Sequence, residues 1–243
     1  MNTSHDELNG TVIHIDAAGS GDFRTLGEGL AWLDSRQDTP EAGGAPDSWT
    51  TFSIAPGTYR EKVFVDLPRV RFRGTGAGPE SVRIVWADHA RMTLPDGRPI
   101  RIFNSVTLVV GGDHFRAENL TVANDAGSGD QVGQAVAAYV DADDVLFRNC
   151  QLLGHQDTLF TGPLPPAPIE GKDFGGPRDS GPFRLAPKRA GSPAVGRQRY
   201  EGCLIAGDID FIFGSAEALF RDCEIRSLYQ DKPVNGWISA ASS

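Results

Sequence analysis

Several features are scarce or missing in this sequence, and each absence excludes a class of protein. Only three cysteines occur among 243 residues, without a C-x-x-C pair, which argues against a disulfide scaffold and a paired-cysteine zinc site. No apolar run approaches the roughly 18 residues that a membrane helix requires. The polar N-terminus lacks the pattern of a secretory signal. We therefore expect a cytoplasmic protein without a membrane partner, or a secreted one if the N-terminus is incomplete.

Basic charge is also scarce. The sequence has 32 acidic and 23 basic residues, for a formal net charge of −9. Binding to nucleic acid depends on a dense basic surface that neutralises phosphates. The composition therefore excludes nucleic acid as the expected partner.

One helix is indicated near the N-terminus, over residues 22–36. Phe23, Leu26, Leu30 and Leu33 follow helical spacing. Thr25-Leu-Gly-Glu28 has the form of a capping box. We predict a helix that covers one end of the domain.

After Thr50 the chain consists of short β-type runs separated by Gly, Asp and Asn. These runs are Thr51–Ala55, Lys62–Val65, Val70–Arg73, Val82–Trp86, Thr107–Val110, Asn119–Ala123 and Ala135–Val140. A β-sandwich and a β-solenoid are both consistent with this pattern.

A repeat favours the solenoid. Phe147-x-x-Cys150-x-Leu152 recurs as residues 200–205 and 220–225, with an aromatic residue, a cysteine and an aliphatic residue at the same places. In a solenoid, equivalent residues of successive coils stack on one another. We predict an all-β parallel solenoid in which Cys150, Cys203 and Cys223 form an interior ladder of free thiols.

The first two copies of the repeat are farther apart than the last two, which indicates an insertion. Residues 162–196 contain eight prolines and several glycines, so they are unsuited to a strand or a helix. We predict a loop inserted into a single domain that spans residues 1–243. A mobile surface loop and a loop overhanging a groove remain equal alternatives.

Two aspartates have apolar neighbours along the chain. Asp157 precedes Leu159 and Phe160, and Asp210 lies within Ile209–Phe213. A buried carboxylate is costly without a partner. On successive coils the two would face each other, with one acting as an acid and the other ionised, unless they form a polar ladder that only fixes strand register.

Three segments in order along the chain resemble the central motifs of the pectin methylesterase (pectinesterase) family. They are Gln134-Ala-Val-Ala137, Gly154-His-Gln-Asp-Thr-Leu-Phe160 and Gly207-Asp-Ile-Asp-Phe-Ile-Phe-Gly214. The segments Gly19–Thr25 and Pro56–Glu61 are similar to the family's opening motifs. The resemblance implies a right-handed parallel β-helix.

The resemblance also implies a reaction, the hydrolysis of galacturonate methyl esters with release of methanol. Asp210 is then the nucleophile and Asp157 the acid/base, while Gln134 and Gln156 stabilise the oxyanion. No metal or organic cofactor takes part. The implied partner is methyl-esterified homogalacturonan or its oligosaccharides, whose masked carboxylates are compatible with an acidic monomeric protein.

Aromatic residues suit the faces of sugar rings. We expect Phe213, Phe160 and Trp237 to line a substrate groove, although core packing is the alternative for each, and only Phe213 matches a family motif.

Several other polar residues have simpler interpretations. Asp208 competes with Asp210 for the nucleophile, because residues two apart on an extended strand share a face. We interpret His155 as a surface residue and Tyr59 and Glu61 as structural. The acidic run Asp141–Asp144 is interpreted as a turn, not a calcium site.

One family motif is absent. Pectin methylesterases carry a later Leu-Gly-Arg-Pro-Trp motif whose arginine pairs with the nucleophile, and the sequence contains no such motif before it stops at Ser243. The resemblance therefore predicts missing C-terminal coils and an uncertain activity. A β-helix glycosidase or lyase and a non-catalytic carbohydrate-binding β-helix are the alternatives.

Overall fold

A computed structural model describes residues 10–36, 48–95, 97–163 and 195–241. Nineteen strands and two α-helices are found in this part of the chain. The strands are β1 (Gly10–Ile15), β2 (Trp49–Ile54), β3 (Gly57–Arg60), β4 (Val63–Val65), β5 (Val70–Gly74), β6 (Val82–Trp86), β7 (Leu108–Val110), β8 (Arg116–Glu118), β9 (Thr121–Asn124), β10 (Ala138–Val140), β11 (Val145–Arg148), β12 (Gln151–Leu153), β13 (Leu159–Thr161), β14 (Arg197–Glu201), β15 (Leu204–Gly207), β16 (Ile209–Gly214), β17 (Glu217–Arg221), β18 (Glu224–Ser227) and β19 (Trp237–Ala241). The helices are α1 (Leu26–Ser35) and α2 (Gly129–Val132). None of the described helices is long and apolar enough to cross a membrane.

The strands form three parallel sheets. Sheet A has the order β1-β2-β5-β8-β11-β14-β17, sheet B has β18-β15-β12-β9-β6-β3, and sheet C has β19-β16-β13-β10-β7-β4. From β2 onward the chain visits sheets A, B and C in turn. From β5 onward, each strand therefore pairs with the strand three positions earlier in the chain. This is a parallel β-helix, as the repeat predicted.

The interior is built from columns of equivalent residues. The rings of Phe147, Tyr200 and Phe220 stack, with centroids 5.4 Å and 4.8 Å apart and nearly parallel planes. Beside them, Leu152 pairs in register with Ile205. The aromatic and aliphatic places of the sequence repeat are therefore true structural equivalents.

The cysteines form the predicted ladder. All three are free thiols; Cys150 and Cys203 are buried and Cys223 is partly exposed at the last coil. The thiol of Cys203 donates to the Phe147 carbonyl at 3.4 Å, and that of Cys223 to the Tyr200 carbonyl at 3.2 Å. Each thiol thus bonds the preceding coil.

Helix α1 packs against the first coil. Leu26 and Leu30 are buried, and a Cβ on Gly29 would lie 2.8 Å from the Phe52 ring, so a glycine permits the close approach. The helix begins at Leu26, because Thr25 is the N-cap and forms the predicted capping box with Glu28. The predicted start at residue 22 was therefore too early.

The outer face of sheet C carries a second apolar cluster, which we call the outer cluster. Its buried members are Phe103, Val106, Val109, Val136, Tyr139 and Phe160, with Phe64, Ile102 and Phe213 packed against them. Phe103 comes from the segment between β6 and β7, which folds back over the sheet. Lys62 anchors that segment, donating to the Asp88 carboxylate at 2.7 Å and to the Asn104 carbonyl at 2.6 Å.

The proline-rich insertion at 162–196 falls almost entirely outside the described residues. Gly162 and Pro163 follow β13, and the description resumes at Val195. The predicted loop stays a prediction.

Candidate active site

Asp157 and Asp210 occupy the same place on two adjacent coils. The register of β13 with β16 pairs Leu159 with Ile212. Asp157 and Asp210 precede these residues by equal steps, at the corner between sheets B and C. The Asp157 amide donates to the Ile209 carbonyl at 3.0 Å, which joins the two corners directly.

Both aspartates have a left-handed backbone, with φ of 65° at Asp157 and 47° at Asp210. Aspartate tolerates this region better than most residues, although at some cost in free energy. The register between β16 and β19 also shifts between Ile209 and Ile212. The segment around Asp210 is thus not a regular strand. The expectation that Asp208 and Asp210 share a face depends on a regular strand and does not apply here.

The environment of Asp157 strongly favours its protonated form. Its side chain is buried, with 7% of the residue exposed. Burial, and then the charges of Asp210 and Asp208, raise the pKa of Asp157 to about 8. At neutral pH this group therefore carries a proton that it can donate.

Asp210 lies in a more open environment and is only partly buried. Burial raises the pKa of Asp210 above its ordinary value. The pKa of Asp157 is raised further, because Asp157 is more deeply buried and also feels the charges of Asp210 and Asp208, so Asp210 ionises first. The two carboxyl groups thus differ in protonation, which separates a nucleophile from an acid.

The corner also brings the two predicted glutamines together. The Ala135 amide donates to the Gln156 carbonyl at 3.1 Å, which sets Gln134 and Gln156 on neighbouring coils, in the segments that precede β10 and β13. The Gln156 side chain lies against Gly129 of α2, where a Cβ would come 2.7 Å from Oε1. Both glutamine side chains are partly exposed, as groups that contact a ligand must be.

His155 and Asp208 form a pair that sequence reasoning missed. Nδ1 of His155 lies 2.8 Å from Oδ2 of Asp208, and the Asp208 amide donates to the His155 carbonyl at 3.1 Å. His155 is thus not a simple surface residue. Their separation of 53 residues is also that of Cys150 and Cys203, which was the signal available in the sequence.

Asp208 differs from Asp210 in its surroundings. It is 1% exposed. Burial is the largest influence and raises the pKa of Asp208, but hydrogen bonding by His155, Gln230 and the Ile209 amide, together with the charge of His155, outweighs it, so the pKa lies below its ordinary value. A carboxylate enclosed and bonded in this way is a poor nucleophile, which favours Asp210.

The three predicted groove aromatics have different environments. Phe213 is half-buried, 5.0 Å from Phe160 and 6.2 Å from Phe103 by ring centroids. Trp237 is 63% exposed on β19. The structure differs from the expectation that Phe160 lines the groove. Only 2% of Phe160 is exposed, because Phe103 and Tyr139 cover its ring. Phe160 instead supports Phe213 from below.

The residues interpreted as structural do have structural contacts. Glu61 accepts the amides of Leu26 and Gly27 at 2.9 Å, at the N-terminus of α1. The Tyr59 hydroxyl donates to the Ala55 carbonyl at 2.9 Å.

In the acidic turn, Asp143 binds the Arg197 guanidinium and Asp144 binds His114. Within the described ranges, no group of three or more His, Cys, Asp or Glu residues is arranged to hold a metal ion.

Comparisons with known proteins agree with this architecture. The Pectinesterase family model matches residues 12–163 and 193–242. "Probable pectinesterase/pectinesterase inhibitor 23" of Arabidopsis thaliana is 30% identical over 209 residues, covering 85% of this chain and 28% of that protein. "Pectinesterase 31" of the same plant is 28% identical, covering 95% of this chain and 59% of that protein. The chain thus spans between about a quarter and three fifths of these relatives.

Solved structures give the same result. Pectin methylesterase from carrot has a TM-score of 0.62 and 28% identity, covering 92% of this chain and 53% of that one. Pectin methylesterase PemA from Erwinia chrysanthemi has a TM-score of 0.69, covering 96% and 60%; at 24% identity this likeness shows the fold alone. The predicted right-handed parallel β-helix is confirmed. With its family match over most of its length, and with the corner described above built on that fold, the chain belongs to the pectinesterase family.

Proposed function

We propose that the protein hydrolyses methyl esters of galacturonate residues in pectin, with Asp210 as nucleophile and Asp157 as acid/base. One observation carries the proposal: the two aspartates lie in register on adjacent coils, yet burial and charge hold a proton on Asp157 while Asp210 ionises first.

In the first step the ionised carboxylate of Asp210 attacks the C6 carbonyl carbon of the ester. A bond forms between carboxylate oxygen and carbon, and the carbonyl oxygen becomes an oxyanion. The amides of Gln134 and Gln156 donate hydrogen bonds to that oxygen. As the tetrahedral species collapses, Asp157 protonates the departing methoxide and methanol leaves.

In the second step water hydrolyses the mixed anhydride formed on Asp210. Asp157, now ionised, takes a proton from the water as it attacks the galacturonate carbonyl. The products are regenerated Asp210 and galacturonic acid, whose carboxyl group then releases the second proton of the water to solvent. Asp157 recovers its proton, so the cycle needs no added cofactor.

The proposed substrate is methyl-esterified homogalacturonan or its oligosaccharides, bound by a monomer. Phe213, on the same strand as Asp210, offers a half-exposed ring that is held from below by Phe103 and Phe160. Trp237 extends the apolar surface along sheet C, since Ile209 pairs with it in register. A solved pectin methylesterase, 24% identical, is described in complex with a hexasaccharide.

Methanol release from methylated oligogalacturonate tests the proposal. We expect release without shortening of the chain, no release from Asp210→Ala, and a loss of roughly 10²–10⁴-fold in Asp157→Ala. Asp222→Ala is the control, because its side chain is 85% exposed on the last coil. Shortening of the oligosaccharide indicates a glycosidase or lyase instead, and binding without either product indicates a carbohydrate-binding protein.

A further inference from the structure

His155 and Asp208 form an ion-pairing contact that the proposed chemistry does not use. Asp208 is almost wholly buried, whereas the His155 side chain is 35% exposed. Enclosing a carboxylate has a large desolvation cost, and a surface pair offers little stability in return. The contact therefore invites an explanation beyond stability.

The contact lies between the two catalytic corners. His155 is two residues before Asp157, and Asp208 is two residues before Asp210. Three bonds join these corners: the imidazole to the Asp208 carboxylate at 2.8 Å, the Asp208 amide to the His155 carbonyl at 3.1 Å, and the Asp157 amide to the Ile209 carbonyl at 3.0 Å. The side-chain contact completes a clamp whose other two bonds belong to the backbone.

Asp208 also places charge beside the acid. Its negative charge acts on Asp157 in the same direction as that of Asp210, and both disfavour ionisation of Asp157. These two carboxylates are the charged groups that act on Asp157 within the part of the chain that the structure describes. His155 in turn, with Gln230 and the Ile209 amide, favours the ionised form of Asp208.

We propose that His155 and Asp208 are a positioning pair, which holds the corners of Asp157 and Asp210 in register and keeps a buried negative charge beside Asp157. This inference rests on the proposed function for its kinetic consequences. Neither residue touches the ester. The imidazole orients and stabilises the carboxylate, and the carboxylate favours the protonated acid.

Variants separate the hydrogen bond from the charge. An asparagine at 155 keeps a nitrogen donor near the place of Nδ1, whereas phenylalanine removes it. We expect His155→Phe to lower kcat about 10-fold, less than the roughly 10²–10⁴-fold loss of a group that transfers the proton itself, with KM changed less than about 2-fold. His155→Asn should recover most of that loss.

Asp208→Asn tests the charge. Because protonated Asp157 is needed to release methanol, the alkaline limb of kcat reports its ionisation. Removing the Asp208 charge should move that limb to lower pH by about one unit, the usual spread that neighbouring groups produce. Asp144→Asn is a matched control: Asp144 lies 2.8 Å from Nδ1 of His114 at another corner, and its loss should leave the limb unmoved.

A measurement without substrate separates this inference from the proposed function. Carboxyl-carbon NMR follows the titration of Asp157 in the wild type and in Asp208→Asn. A lower midpoint in Asp208→Asn supports the positioning pair even if the protein releases no methanol, which would overturn only the proposed function. An unmoved midpoint, or a His155→Phe enzyme with wild-type kcat, overturns the pair.

Discussion

Replacing Asp157 by asparagine should make the folded protein more stable at neutral pH, although the change removes a proposed catalytic group. Asp157 has a pKa of about 8 in the folded protein, against 3.8 for an ordinary aspartate. When folding raises the pKa of an acid, the contribution of that group to the free energy of unfolding is most favourable below its pKa in the unfolded chain. This contribution is lost as pH rises toward the pKa in the folded protein. The cost of keeping the carboxyl buried therefore grows between about pH 4 and pH 8.

The size of the effect follows from the difference in pKa. One pH unit of difference corresponds to about 1.4 kcal/mol, so the cost is about 1.7 kcal/mol at pH 5 and about 4.5 kcal/mol at pH 7. Asparagine has nearly the same shape and does not ionise. We expect Asp157→Asn to gain about 3 kcal/mol of stability relative to wild type as pH rises from 5 to 7.

Urea unfolding at several pH values measures this gain from the midpoint and slope of each transition. Only the pH-dependent part counts, because any fixed effect of the amide cancels between the two pH values. Asp222→Asn, on an exposed side chain, should show no such trend. A stability difference that stays constant from pH 5 to pH 7 would refute the assignment of a raised pKa to Asp157.

Three further predictions concern other parts of the fold. The hydrogen bonds from Arg197 lower the pKa of Asp143 to about 2, so Asp143→Asn should destabilise the protein by about 1–2 kcal/mol at pH 7. This loss should shrink as pH falls from about 4 toward 2, as measured by urea unfolding, and a loss independent of pH would contradict the ion pair. Phe103→Ala should cost about 3 kcal/mol of stability, measured by urea unfolding, because it leaves a cavity in the outer cluster. It should also raise KM for methylated oligogalacturonate, because Phe213 loses a packing partner, and unchanged stability would show that the neighbours fill the cavity. In thiol titration with a chromogenic disulfide, Cys223 should react in the folded protein and the other two cysteines only in denaturant; equal reactivity of all three would contradict the interior ladder.

Local physics made part of this protein predictable from its sequence. The capping box of α1 depends on residues three apart, and it formed as predicted. The spacing of aromatic, cysteine and aliphatic residues predicted the stacking correctly, because equivalent positions of successive coils pair in register and place side chains of similar size at the same point of the interior. The β-helix and the three-cysteine ladder therefore followed from the repeat.

The family motifs also determined which residues belong to the candidate site. Asp157 and Asp210 were identified from their motifs, and the register of sheet C sets them on adjacent coils. Their roles stay predictions, as does the loop at 162–196.

The tertiary structure decided what neighbours each residue has across the coils. Phe160 and Phe213 lie in the same outward column of sheet C, but only Phe160 is buried, because Phe103 arrives from a distant segment. A second example is a row of alternating charges across sheet A, formed by Arg73, Glu118, Arg148 and Glu201. Each contact in this row joins residues 30 to 53 positions apart, so no short sequence window contains it.

The protonation of the site was also beyond the sequence. A carboxyl group's pKa depends on burial and on charges within several ångströms, and here those charges come from the next coil. The sequence determined that two aspartates recur at one corner of a β-helix. Only the stacking of coils decided that Asp157 holds a proton, Asp210 is more open, and Asp208 is enclosed by His155, because desolvation and Coulomb energy depend on distance in space.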